Sequence, residues 1–307
     1  MMSPASRGPS AAPALDAARL HLPAGAAATD GDPVVVTPER AGWRFTGLRV
    51  IELEPGATRT VATGPDEMLA LPLQGSCEVD IEGGRFTLAG RQSVFDGVSD
   101  FAYLPVGAEA RLSSRGGATI ALPAARAERR HDPAYVSADR VPIEARGAGD
   151  ATRQLTNFFA PGVGRAQRLV AVEVLTPAGN VSSWPPHKHD TAAPGGEAEL
   201  EEIYYFRFDR PEAFGLHRTY AADFDVAVAV GDGDVFLVPR GYHGPCIALP
   251  GYPMYYLNVL AGPGVERSLA FSDDPAHAWV RPSWDAETRD PRVPMTTADG
   301  RRSRCDR

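Results

Sequence analysis

The chain has 307 residues, 43% of them hydrophobic and 23% charged, with a formal net charge of -8. An acidic chain with scattered arginines is a poor match to phosphate backbones, so neither nucleic acid nor an anionic membrane is an expected partner. No apolar run approaches the ~20 residues of a membrane-spanning helix. Cys77, Cys246 and Cys305 are odd in number, far apart and in no CxxC arrangement, which points to a reducing, cytoplasmic setting without a disulfide framework.

Residues 1–28 are rich in Ala, Pro, Ser and Gly and read as a mobile lead-in, not a secretion signal. Strand-like runs follow at 43–53, 68–73, 77–81, 101–104 and 118–122. A charged stretch over 126–141, carrying Pro133, reads as a linker. The second half continues with runs at 168–175, 201–208, 216–220, 225–230, 235–238 and 254–260. Several alternate apolar and polar residues, and turn signals such as Glu82-Gly83-Gly84 and Gly231-Asp232-Gly233-Asp234 separate them. Helical periodicity is scarce. The pattern predicts an all-β protein of sandwiches or barrels. Phe101-Ala102-Tyr103-Leu104-Pro105-Val106-Gly107 and Val235-Phe236-Leu237-Val238-Pro239-Arg240-Gly241 match as an apolar run followed by Pro-x-Gly, which predicts two barrels of similar design over 29–140 and 141–307.

The only lysine, Lys188, lies between His187 and His189 in Pro185-Pro186-His187-Lys188-His189-Asp190. Residues i and i+2 of an extended strand share a face, and imidazole is the commonest metal ligand. His243 follows the second Pro-x-Gly, and the acidic run 197–202 offers a carboxylate. Glu202, Tyr204 and Phe206 share one strand face and Glu201, Ile203 and Tyr205 the other; periodicity does not say which is inside. His21, His131, His217 and His277 read as surface or structural, with His217 able to line a cavity. The first half has no histidine between residues 22 and 130, so only the second retains a histidine-based site. An isolated HxH is often just a polar strand edge; its conjunction with His243 and a carboxylate is what points to metal.

These features resemble the cupin superfamily, whose motifs are HxH followed by Glu and a Gly-to-Pro-x-Gly segment followed by His. Here the second motif is one residue short before its histidine, and residues 191–200 look like an insertion between His189 and the glutamates. Blocks at 182–190, 200–207, 234–243 and 250–259 are similar to the 5-deoxy-glucuronate isomerase family of myo-inositol catabolism, and 93–97 with 103–105 fits that family's first half. The resemblance implies a bicupin of two tandem cupin-like β-sandwich barrels with few short helices. It also implies one divalent metal ion (Zn, Mn, Fe or Ni) held by His187, His189, Glu202 and His243. Glu202 is preferred to Glu201 because a related pectin-pathway isomerase family has its metal glutamate in that register.

The implied reaction is the aldose–ketose isomerisation of 5-deoxy-D-glucuronate to 5-dehydro-2-deoxy-D-gluconate. An enediol path needs a general base, for which Glu201, Tyr204, Tyr255 and Tyr256 are candidates; a hydride shift needs none. Lys188, Arg218 and Arg240 are the nearest cations for the carboxylate of this sugar-acid substrate. Strict alternation points Lys188 away from its neighbouring histidines. Exposed strand edges make a homo-oligomer an expectation. The alternatives are the pectin-pathway isomerase itself, acting on 5-dehydro-4-deoxy-D-glucuronate, a metal-dependent cupin dioxygenase, and a non-catalytic sugar-binding cupin.

Overall fold

A computed structural model describes residues 15–29, 31–193 and 196–301. The protein is mostly β, and every α-helix among the described residues is a single turn: Ala17–Leu20, Pro38–Ala41 and Val280–Ser283. None is long and apolar enough to cross a membrane.

Residues of the first half form a nine-stranded antiparallel sheet. Its main path runs Ala134–Val136, Phe101–Leu104, Asp66–Ile81, Ala118–Arg126, Thr46–Leu53 and Val34–Val36. Where the sequence predicts two strands at 68–73 and 77–81, there is one strand of 16 residues. It bends at Gly75, which has φ +79° and sits between two register shifts. A Cβ at Gly75 would lie 2.3 Å from the Gly117 carbonyl oxygen, so only glycine fits this bulge. Several strands are additional to the expectation, among them Thr58–Ala62, Gly84–Arg91, Glu109–Ser113, Arg153–Thr156 and Tyr242–Ala248. The expected linker is also partly structured, since Ala134–Val136 pairs with Phe101–Tyr103 as an edge strand.

The second half contributes two sheets. One has seven strands in the order His21–Leu22, Val235–Val238, Glu201–Phe208, Met254–Ala261, Val170–Thr176, Arg153–Thr156 and Ile143–Arg146. The other runs Phe224–Gly231, Phe214–Ala221, Tyr242–Ala248, His187–Lys188 and Ser272–Asp273, with Val181–Ser182 alongside. Val172, Tyr204, Phe206 and Tyr256 of the first sheet share a core with Val226, Val230, Cys246 and Ala248 of the second.

Three central strands are buried on both faces, which removes the alternation that would have shown the inside. Ala171, Ile203, Tyr205, Leu257 and Val259 point the other way, into a core shared with Leu48, Val50 and Ala121 of the first half. The two halves are therefore joined through a common apolar layer.

The lead-in expectation needs correcting. Residues 1–14 lie outside the described residues, but the Ala17–Leu20 turn leads into His21–Leu22, which pairs with Val235–Phe236. His21 Nε2 is 2.7 Å from Asp234 Oδ2, and the Ala24 amide donates to Asp234 Oδ1 at 2.8 Å. The two Pro-x-Gly segments behave alike: each ends a four-residue strand, and Gly107 and Gly241 adopt φ +71° and +88°. Two residues later their roles diverge, with Glu109 exposed and His243 buried.

Candidate metal centre

His187 and His243 are directly opposed in the antiparallel pairing of their strands, so their rings project from the same face, with centroids 4.4 Å apart. His189, two residues on, brings its ring to 4.9 Å from His243 and 6.4 Å from His187. Glu202 reaches them from the facing sheet. Its Oε2 is 3.0 Å from His189 Nε2 and 3.3 Å from His243 Nε2. The ligand atoms of His189, Glu202 and His243 all lie within 4.8 Å of one another, and His187 flanks this trio.

The tautomers follow from the partners. Pro185 O lies 3.0 Å from His187 Nδ1, and Leu200 O lies 3.2 Å from His189 Nδ1. A carbonyl only accepts, so each Nδ1 carries a proton; His187 Nε2 then keeps its lone pair, whereas a proton lies between His189 Nε2 and Glu202 Oε2, 3.0 Å apart. His243 is 1% exposed, and neither ring nitrogen has a hydrogen-bond partner. Burial pulls His187 down to about 3, and burial plus the neighbouring rings holds His243 well below the usual range. Burial raises Glu202 against the pull of His189; burial lowers His189, but its bond to Glu202 outweighs this and raises it. With the proton between His189 and Glu202 displaced, the imidazoles beside the carboxylate are a donor set for a divalent cation. Such an ion would give His243 Nε2, 3.3 Å from Glu202 Oε2, the partner it lacks.

The cluster opens on a cavity of about 120 Å³, lined by His187, His189, Glu202, Tyr204, Tyr256 and Arg153 among others. Ser183 also borders it, at φ +46°, a left-handed conformation unusual for serine. Gly244 makes this possible, since a Cβ there would fall 1.9 Å from Ser183 O. Ser183 Oγ is thereby set 3.0 Å from Tyr204 Oη and 3.1 Å from Tyr256 Oη. The two phenol rings stack with centroids 4.8 Å apart. Burial raises both phenols far above neutral pH, so they stay protonated.

Several residues singled out in the sequence are not at this cavity. The Glu201 carboxylate faces the other way and accepts the backbone N–H groups of Arg44, Phe45 and Thr46 at 2.7, 2.8 and 2.8 Å. Tyr255 alternates away from Tyr256 and donates to Glu173 Oε1 at 2.7 Å, where Glu173 also pairs with Arg91. Lys188 is held by Asp190 at 2.8 Å and Glu197 at 2.9 Å. Arg218 forms a two-bond pair with Asp225, and Arg240 forms one with Asp223, both exposed. None of these five is free to meet a ligand in the cavity. His217 is buried, with Nδ1 3.0 Å from Cys246 Sγ and its ring against Phe236, in keeping with a structural role.

The cavity cations are Arg146 and Arg153, which sequence reasoning missed because neither lies in a recognisably alternating run. Ser183 lay within the 182–190 block without a role; its one signal was adjacency to the HxH segment.

Opposed antiparallel sheets closed around a buried cluster of imidazoles and a carboxylate define a cupin-type β protein. The chain belongs to the KduI/IolB family, whose profile matches residues 21–280. It is 36% identical over 269 residues to 5-deoxy-glucuronate isomerase of Geobacillus kaustophilus, covering 86% of this chain and 96% of that protein. It is 33% identical over 249 residues to the enzyme of the same name from Bacillus subtilis, covering 80% and 91%. The crystal structure of an IolB-like protein from Salmonella typhimurium LT2 superposes with a TM-score of 0.80 at 34% identity, over 85% of this chain and 99% of that one. Bacillus subtilis oxalate decarboxylase shares the fold at a TM-score of 0.59 and 13% identity, over 88% and 87% of the two chains.

Proposed function

We propose that this protein is an aldose–ketose isomerase converting 5-deoxy-D-glucuronate to 5-dehydro-2-deoxy-D-gluconate. The observation that carries the reading is His243, whose two buried ring nitrogens have no hydrogen-bond partner, next to Glu202 and His189, which line a cavity. The names of the family relatives support the substrate. His187, His189, Glu202 and His243 hold one divalent ion, of which Zn, Mn, Fe and Ni all suit the donors. When bound, the ion supplies Lewis-acid polarisation of the sugar's carbonyl oxygen. The fold is a bicupin in which only the second barrel, closed by the His21–Leu22 strand, carries the site.

The protein's own groups divide the remaining work. The Nδ1–H bonds of His187 and His189 to backbone carbonyls fix ring orientation. Tyr204 and Tyr256, kept protonated, donate hydrogen bonds and do not act as bases. Ser183 Oγ, within reach of both phenols, holds the two hydroxyls in a fixed orientation at the cavity. Val172, Leu155, Leu260 and Phe271 form the apolar part of the cavity wall and limit water.

The test is turnover of 5-deoxy-D-glucuronate and of 5-dehydro-4-deoxy-D-glucuronate by the purified protein, with metal content measured in parallel. The first is expected to react and the second not. His243→Ala and Glu202→Gln are expected to lose metal and roughly 10³-fold or more in kcat, the weight of several kcal/mol of electrostatic stabilisation. Full activity in His243→Ala would refute the assignment.

A further inference from the structure

Arg153 is 5% exposed and borders the same cavity as the histidine cluster. Of its five N–H donors, one on Nη1 goes to Ala151 O at 3.0 Å and one on Nη2 to Trp184 O at 3.2 Å. Among the described residues no carboxylate lies within ion-pair distance of it. The neighbouring arginines differ. Arg146, also at the cavity, is held by both oxygens of Glu144, and Arg281 by both oxygens of Asp273. The carboxylates around Arg153 are therefore already paired with other cations. A buried guanidinium with no counter-charge is costly, because it has given up its water without gaining an anion. Burial pulls this one down to about 10, with Arg146 and Arg281 adding repulsion. It is nonetheless cationic at neutral pH.

The guanidinium is also fixed in position. Its bond to Trp184 O ties it to the segment that carries Ser183 and His187, and its Cζ lies over the Trp284 ring, 5.6 Å from the ring centroid. A bound anion therefore meets a preset fork at a fixed offset from the histidines. Planar guanidinium matches carboxylate geometry in two parallel bonds.

We propose that Arg153 is the carboxylate-binding residue of the cavity and sets its specificity for sugar acids over neutral sugars. This rests on the isomerase reading for the identity of the substrate, but not for the anion site itself. Lys188, Arg218 and Arg240 are unavailable for the task because each is already paired.

The experiment compares 5-deoxy-D-glucuronate with its uncharged primary amide in wild-type protein, Arg153→Met and Arg153→Lys, following kcat and KM separately. Wild type is expected to prefer the acid by roughly 10²-fold in kcat/KM. Arg153→Met is expected to bring that ratio to about one, chiefly through the KM of the acid, with KM for the amide little changed. Arg153→Lys, which keeps the charge but loses the fork, is expected to fall between, and it carries the test alone if Arg153→Met does not fold. A variant that keeps the wild-type ratio, or that loses activity equally on both compounds, overturns the proposal. If wild type turns over neither compound, the isomerase reading fails and calorimetric binding of D-glucuronate against D-glucuronamide replaces kinetics. Loss of acid preference in Arg153→Met then upholds the anion site. Retained preference, or no glucuronate binding by wild type, overturns it.

Discussion

Arg91 and Glu173 form an ion pair across the junction of the two halves, with side chains 3% and 1% exposed. Arg91 also donates to Pro72 O and Gly97 O, both at 3.1 Å, and Tyr255 donates to Glu173. Arg91→Met leaves a buried carboxylate with one phenol for company. Breaking such a pair from one side costs about 3–5 kcal/mol. Arg91→Met/Glu173→Gln removes the charge and keeps a partner for Tyr255, so it should recover most of the loss. Urea unfolding followed by tryptophan fluorescence at pH 7 compares wild type with both variants. A deficit below about 1 kcal/mol in Arg91→Met, or no recovery in the double variant, would show that the junction does not depend on this pair.

Gly244→Ala is expected to destabilise the fold and to abolish activity together, because the new Cβ collides with Ser183 O and the residue sits at φ +101°. Ser183→Ala should instead lower kcat with metal content and melting temperature nearly unchanged, which a thermal melt and a metal assay separate. Asp234 is depressed: burial raises it, but His21 and the Gly231 and Ala24 amides outweigh that. Its contribution is therefore full above the unfolded carboxylate range, near pH 3.9, and fades as acid titrates it through its lower folded value. Asp234→Asn should weaken the attachment of residues 17–24, visible as faster hydrogen exchange there at neutral pH and as a smaller difference from wild type in acid. Burial pushes the Cys77 thiol up to about 12, so in a Cys305→Ser background a thiol reagent at pH 8 should leave Cys77 unmodified until denaturant is added.

The sequence carried the strands whose ends are marked by Pro, Gly or Asp, and 101–104, 201–208 and 235–238 match the observed bounds. It also brought the three histidines together, because HxH on an edge and His after Pro-x-Gly are local patterns. The glutamate was not legible from periodicity. Glu201–Phe208 is buried on both faces, so its two sets of alternating residues look alike until the first half is laid against one of them. The same cause misplaced Tyr255 beside Tyr256. Arg218 and Arg240 were near the site along the chain, but hairpin geometry gives them Asp225 and Asp223 as partners. Arg153 was invisible for the opposite reason: what distinguishes it is the absence of a partner, and partners are set by contacts between distant segments.

The short strand His21–Leu22, from the start of the described chain, pairs with Val235–Phe236 at the edge of the seven-stranded sheet. During synthesis the emerging chain exposes this strand long before its partner exists. The sheet that carries Glu202 then gains this edge only when the chain returns more than two hundred residues later. Separate expression of residues 141–307 would leave the Val235–Val238 edge open, a ready template for pairing between copies. Dissecting the protein into its halves thus calls for carrying residues 15–29 with the second half, fused through a spacer or supplied as a peptide.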